Sequence, residues 1–140
     1  VNKTTLMQVG LKAEGIAVKH LRDQDLGWQP LNEEYKQYKI RKGGSEKILI
    51  DTSTYLQAIT SRVKGMTALV GVFRGEVKYD EKGEQDVVNI AAIHEFGSKS
   101  QNIPARPLWK PTLDDMEKWL RADNIFARRV KEHFNKKYGL

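Results

Sequence analysis

The sequence has no cysteine. That excludes disulfides and thiolate metal sites, and it leaves a reducing compartment compatible with the chain. Its histidines, His20, His94 and His133, lie far apart. None forms a short-spaced ligand pair, which argues against a zinc centre. No apolar run approaches the ~20 residues that span a bilayer, so no membrane association is expected. The opening residues, VNKTTLMQVG, lack the long apolar stretch of a secretory signal, and the general secretory route is not expected. No G-x-S-x-G, H-E-x-x-H or phosphate-binding glycine loop occurs, and no RRM, KH or zinc-finger pattern. Proline is sparse, but three of the 4 prolines fall within residues 104–111.

What is present fits one domain over residues 1–140, long enough to bury a core without staples. The net charge of +6 is uneven. Residues 1–50 hold 9 basic and 6 acidic side chains, residues 51–116 hold 8 and 9, and residues 117–140 hold 7 and 3. Basic ends suit a nucleic-acid footprint. Solvated helix faces explain them better, because the cations alternate with acids.

Residues 4–22 read as an amphipathic helix. Leu6, Val9, Ala13, Ile16, Ala17 and Leu21 form its main stripe. Met7, Leu11 and Val18 form a second, adjacent stripe. A helix lying on one core needs only one, so Met7, Leu11 and Val18 are candidates for contact with another subunit. Gly10 falls near the main stripe, where it permits close packing, and Gly15 falls on the polar side. Gly27 is the expected end of this region. Asn32, with Glu33 and Glu34 after it, predicts an N-cap and a short helix to about Tyr38. Gly43-Gly44 then break the chain.

Lys47–Ile50 is β-like, and Asp51 or Thr52 is positioned to cap a short helical turn carrying Tyr55 and Leu56. Residues 58–64 and 67–74 read as strands with Gly65 between them, a hairpin. DEKGEQD, residues 80–86, reads as an acidic exposed loop. Asp86 caps a helix over Val87–Phe96 that Gly97 stops. Pro104, Pro107 and Pro111 exclude a regular helix interior over Ile103–Pro111. The last helix is expected from about Thr112, with Asp114 and Asp115 in its first turn and a stripe of Leu113, Met116, Trp119, Leu120, Phe126, Ala127, Val130 and Phe134. Asp123 falls inside that stripe, so a break or bend is expected near RADN. The layout is α+β: N-terminal helix, small antiparallel β-sheet, helix, Pro-rich loop and long C-terminal helix.

The densest stretch is IAAIHEFGSKSQNIPARPLWKP, residues 90–111. His94-Glu95 invites an acid–base reading. Neighbours on a helix point about 100° apart, so the pair does not form one site, and no catalytic residue is assigned. Arg106, in PARP, is flanked by rigid backbone that would hold its guanidinium in place. Its expected partner is a carboxylate, Glu95 or one on a neighbouring subunit. The aromatics Trp28, Tyr35, Tyr55, Trp109 and Trp119 are more suited to core and interface anchors than to base stacking.

These residues resemble a known family. IAAIHEFGSKSQNIPARPLWKPTLDD is similar to the C-terminal signature of tailed-phage virion-morphogenesis and tail-completion proteins, an A-x-x-H-E-F/Y-G helix end followed by I-P-A-R-P and a final helix. GWQPLNEEYKQYKIRKGG resembles the family's W-x-P-L-s-x-x-Y-x-x-x-K region, and KILIDTSTYLQAITSRV its I-L-x-D-T-G-x-L-x-x-S-I region. The three segments run in order over roughly residues 28–115. Ser53 stands where the family often has Gly, and Ala58 where Ser is common. The resemblance implies a structural protein of the phage neck and not an enzyme, with no cofactor. Such a protein completes the tail or joins it to the head connector as a homo-oligomer ring, six-fold or twelve-fold. Its partners would be connector or head-completion proteins and tail-tube or terminator proteins, with genomic DNA in the channel. Its place would be the virion, and the host cytoplasm during assembly. His94, Glu95, Phe96, Gly97, Ile103, Pro104, Arg106, Pro107 and Trp109 would then form an architectural joint.

Overall fold

A computed structural model of the 140-residue chain describes residues 2–49, 54–75, 77–80, 83–122, 128, 129, 132, 135 and 136. The element order is α1 (Lys3–Asp23), α2 (Glu33–Arg41), α3 (Thr54–Ala58), β1 (Thr60–Lys64), β2 (Thr67–Gly71), β3 (Val77–Asp80), β4 (Gly83–Asp86), α4 (Val87–Phe96) and α5 (Trp109–Arg121). The architecture is α+β, as the sequence predicts.

Asn2 opens α1, its side-chain oxygen accepting from the Thr5 amide. That satisfies one of the donors a first turn leaves free. The helix ends at Gln24, in left-handed backbone with φ of 54°, and not at Gly27. The Gln24 side chain explains the difference. Its Nε2 donates to the Leu21 carbonyl, which fastens the residue to the helix end. The same amide reaches Ile48, donating to its carbonyl at 3.1 Å and accepting from its N–H at 2.8 Å. The strand expected at residues 47–50 is absent over 47–49 for that reason: the backbone of Ile48 pairs with a side-chain amide. The predicted caps Asp51 and Thr52 lie outside the described residues.

One face of α1 lies on the β1–β2 hairpin, and α1 also packs against α5. The hairpin register, Thr60↔Gly71 to Lys64↔Thr67, leaves a two-residue turn of Gly65 and Met66. Gly65 has φ of 59°, a conformation that glycine adopts without steric cost. Ser61, Val63, Ala68 and Val70 share the more buried face. Helix and hairpin meet at Gly10, where an added Cβ would sit 3.0 Å from Ser61 Cβ. Ser61 Oγ donates to Glu14 one turn on, at 3.1 Å.

The core gathers Ala17 and Leu21 of α1, Tyr55, Ala58 and Ile59, Val87 and Ala91 of α4, and Leu108. Val18 packs on this cluster. It is half-buried there, so the core reaches further around α1 than the main stripe. Met7 and Leu11, of the same expected stripe, are 49% and 57% exposed.

Two other expectations change. The acidic loop is in part a second hairpin, with β3 and β4 paired from Val77↔Asp86 to Asp80↔Gly83. It forms a sheet separate from β1–β2. The last helix begins at Trp109, one turn before Thr112, so Asp114 and Asp115 fall in its second turn. Pro111 is its third residue, where the backbone N–H has no intrahelical acceptor to lose. Met116 is buried and Trp119 and Leu120 are half-buried, while Leu113 of the expected stripe is exposed. The helix ends at Arg121, with Ala122 extended, so it breaks at RADN; Asp123 and Asn124 lie outside the described residues. The stripe residues Phe126, Ala127, Val130 and Phe134 lie outside the described residues.

Candidate functional site

α4 forms because Asp86 accepts from the Val88 amide and caps a run of apolar residues. It ends at Gly97, with φ of 75° and ψ of 174°, a region that glycine alone occupies readily. A side chain there would also collide with the returning backbone: an added Cβ would lie 2.9 Å from the Ala105 nitrogen and 3.0 Å from the Ile103 oxygen. The loop that follows is pinned by reciprocal Ser98–Ile103 backbone bonds at 2.8 Å, and by the Arg106 amide donating to the His94 carbonyl at 2.7 Å. Residues 97–106 thus fold back onto the end of α4.

Glu95 uses this return. Its Oε1 accepts from the amides of Leu108 and Trp109 at 2.8 and 2.9 Å, and its Oε2 from the Lys110 amide at 3.3 Å. One carboxylate therefore caps α5, at the positive end of the helix dipole. α5 can start early because a residue on another helix supplies the cap that Leu108 cannot.

Arg106 departs from expectation. Its partner is not Glu95. Its Nε donates to the Gln29 carbonyl at 2.8 Å and its Nη2 to the Pro30 carbonyl at 3.1 Å. Glu95 is already engaged with backbone amides, and the turn at residues 29–30 offers two carbonyls that an arginine fork fits. Beside it, the Trp28 indole donates to the Pro107 carbonyl at 2.7 Å, and the Trp109 indole donates to the Tyr55 hydroxyl at 3.1 Å. Burial pushes the Tyr55 hydroxyl well above the usual phenol range. Three segments distant in sequence, around residues 28–30, 55 and 94–109, are bonded into one joint.

An open groove of about 860 Å³ lies beside this joint. One wall is the turn from Gln29 to Asn32 with Tyr35. The other is the end of α4 and its return loop, including Phe96, Lys99 and Arg106. His94, Gly97, Ile103 and Pro104 also line it, whereas Glu95, Pro107 and Trp109 belong to the joint. Phe96 is 82% exposed, although it ends an apolar helix. Among the described residues, no aspartate or glutamate lines the groove, and its formal cations are Lys99 and Arg106. Both Glu95 oxygens accept from α5 amides, which gives this carboxylate a structural task at the start of that helix. Among the described residues, no group of three or more His, Cys, Asp or Glu is arranged to hold a metal ion.

Sequence reasoning missed the wall at residues 29–32, for which Pro30 after Trp28 was the available signal. It also missed a cluster on the far side of α1. His20 Nδ1 meets Asp25 and Nε2 meets Asp115, each at 2.6 Å, tying α1, the following loop and α5 together. Nothing in the sequence spacing marks residues 95 apart as partners. Burial works against the charged His20 ring, but the bonds and charges of the two carboxylates outweigh it and raise its pKa. The bond to His20 lowers that of Asp25.

Over 97 residues the chain is 36% identical to Uncharacterized protein MJ0331 of Methanocaldococcus jannaschii. The alignment takes in 68% of this chain and 63% of that protein, so it spans less than two thirds of the relative's length. No protein-family model matches the chain, and no solved structure matches it.

Proposed function

We propose that the chain is a structural subunit of a tailed-phage neck, completing the tail or joining it to the head connector as part of an oligomeric ring. One observation carries the reading. The segments that resemble the family, around Trp28, Tyr55 and residues 94–109, are the ones the fold bonds to each other. Their side chains are spent on internal backbone and on one another, which is the work of a rigid frame. The residues left at the surface suit contact between proteins: Phe96 in the groove, and Met7 with Leu11 on α1, four residues apart and so on one face. In this reading there is no catalysis. The ring meets connector and tail-tube or terminator proteins in the virion neck, where DNA passes.

The test is the native mass of the purified protein across concentration, alone and mixed with purified tail-tube and connector proteins. A discrete ring, formed alone or only with those proteins, supports the reading. A persistent monomer that ignores them, yet binds DNA tightly with a steep salt dependence, overturns it in favour of a nucleic-acid-binding module.

A further inference from the structure

Arg106 is 7% exposed. A buried cation is costly unless a counter-charge compensates it. Among the described residues no carboxylate pairs with this one, and burial pushes its pKa below the ordinary guanidinium value. Its two side-chain bonds also have a direction. A guanidinium offers two parallel forks of N–H groups, one along its side from Nε and a terminal nitrogen, the other at its end from both terminal nitrogens. The side fork is spent on the Gln29 and Pro30 carbonyls. The end fork, Nη1 with the second N–H of Nη2, makes no bond among the described residues, and Nη1 is not sealed from solvent.

That unused fork is held in place. The Arg106 amide is tied to the His94 carbonyl on one wall of the groove, and the side fork is tied to the turn on the other. Lys99 on the same loop is exposed, and Phe96 and Tyr35 line the groove 82% and 51% exposed. A planar carboxylate matches an arginine fork in shape and charge. The ammonium suits a second carboxylate, and the aromatic rings suit an apolar side chain. At about 860 Å³ and open, the groove admits a stretch of chain and not merely an isolated acid. This protein carries a net charge of +6, so an acidic segment of a different protein is its electrostatic complement. A nucleic-acid strand fits less well. A groove that tracks a phosphate backbone needs a row of cations, and this one has two among the described residues.

We infer that the groove is a docking site for an acidic segment of another protein, with one carboxylate held end-on by Arg106, a second facing Lys99, and an apolar side chain against Phe96. The inference concerns the groove alone and does not depend on the ring.

The probe is a short labelled peptide with blocked ends, in which glutamates flank one phenylalanine, titrated onto the full chain at low and moderate salt. Saturable, salt-weakened binding is expected, with NMR shifts at the amides of residues 29–32 and 96–106 and at the Arg106 guanidinium. Replacing the glutamates by glutamine should abolish it. Lys99→Glu and Phe96→Ser should each weaken it about tenfold. The Lys99→Glu loss should shrink as salt rises, and the Phe96→Ser loss should not. Both side chains are exposed, so both variants should fold; far-UV circular dichroism checks it. No saturation, shifts elsewhere, or equal binding by the glutamine peptide would overturn the assignment. Shifts at these residues from a single-stranded oligonucleotide, with none from the peptide, would overturn it in favour of a phosphate site. A chain that binds the peptide in the groove yet never assembles supports the docking site and counts against the ring reading alone.

Discussion

Removing the Glu95 carboxylate probes the joint directly. It accepts three backbone N–H bonds, at 2.8, 2.9 and 3.3 Å, at the start of α5. Loss of a side-chain helix cap costs about 0.5–2 kcal/mol. A negative charge at a helix start contributes about 0.3–1 kcal/mol, more where partly buried. The Lys110 bond is exposed, so water replaces it readily, but Leu108 is fully buried and its amide would be left poorly satisfied. Together these place Glu95→Ala at about 3 kcal/mol. Glu95→Gln keeps a neutral acceptor and should cost about 1 kcal/mol. With an unfolding entropy of about 2.1 cal/mol/K per residue, the alanine variant should melt about 10 °C lower and the glutamine variant about 3 °C lower. Urea and thermal unfolding followed by far-UV circular dichroism measure both. An alanine variant within about 0.5 kcal/mol of the parent would refute the idea that Glu95 holds the start of α5.

Other residues give equally direct tests. Gly15 has nothing within 4 Å of an added Cβ, so Gly15→Ala should stabilise α1 by about 0.5–1 kcal/mol; Gly10→Ala, pressed against Ser61, should destabilise in the same chemical melts. Arg106→Ala removes two charge-assisted bonds and leaves the Gln29 and Pro30 carbonyls short of donors. A loss of about 2–4 kcal/mol is expected, visible as monomer destabilisation and not only as failed assembly. His20 predicts a pH profile. Its raised pKa makes its contribution full below the ordinary value of 6.5 and lost as pH climbs through the higher folded value. The lowered pKa of Asp25 makes its part full above 3.8 and lost as pH falls through the lower folded value. The cluster should therefore stabilise most between those two ordinary values and less at pH 8. Urea midpoints from pH 5 to 8 should decline in the parent relative to His20→Gln; parallel profiles would show that the cluster does not titrate with folding.

Local signals were readable where a residue acts on its own neighbourhood. Asp86 and Gly97 fixed both ends of α4, Gly65 the hairpin turn, and Asn32 the start of α2. Gly10 was readable as a close-packing site because it shares a stripe with buried residues. What failed was set by partners far along the chain. The start of α5 depends on Glu95, and the end of α1 depends on a Gln24 side chain that also occupies Ile48. The β3–β4 hairpin escaped notice because DEKGEQD has none of the apolar alternation by which a strand on a core is recognised. In the joint, the identities of the candidate residues were legible, and the partner of Arg106 was not. An arginine can be satisfied by carbonyls anywhere, and carbonyls leave no mark on a sequence.

The long-range bonds also set an order in time. Trp28 and Pro107 lie 79 residues apart, Arg106 and Pro30 76, and His20 and Asp115 95. α1 and the β1–β2 hairpin are complete early in synthesis and can pack together at once. The surface of α1 that α5 covers, and the core positions that await Leu108, must stay open until the ribosome has released residues beyond 115. Closing so long a loop is entropically costly before it is rewarded. Assembly of the joint should then be the late, rate-limiting event of folding, and the nascent chain is most exposed to aggregation just before α5 emerges.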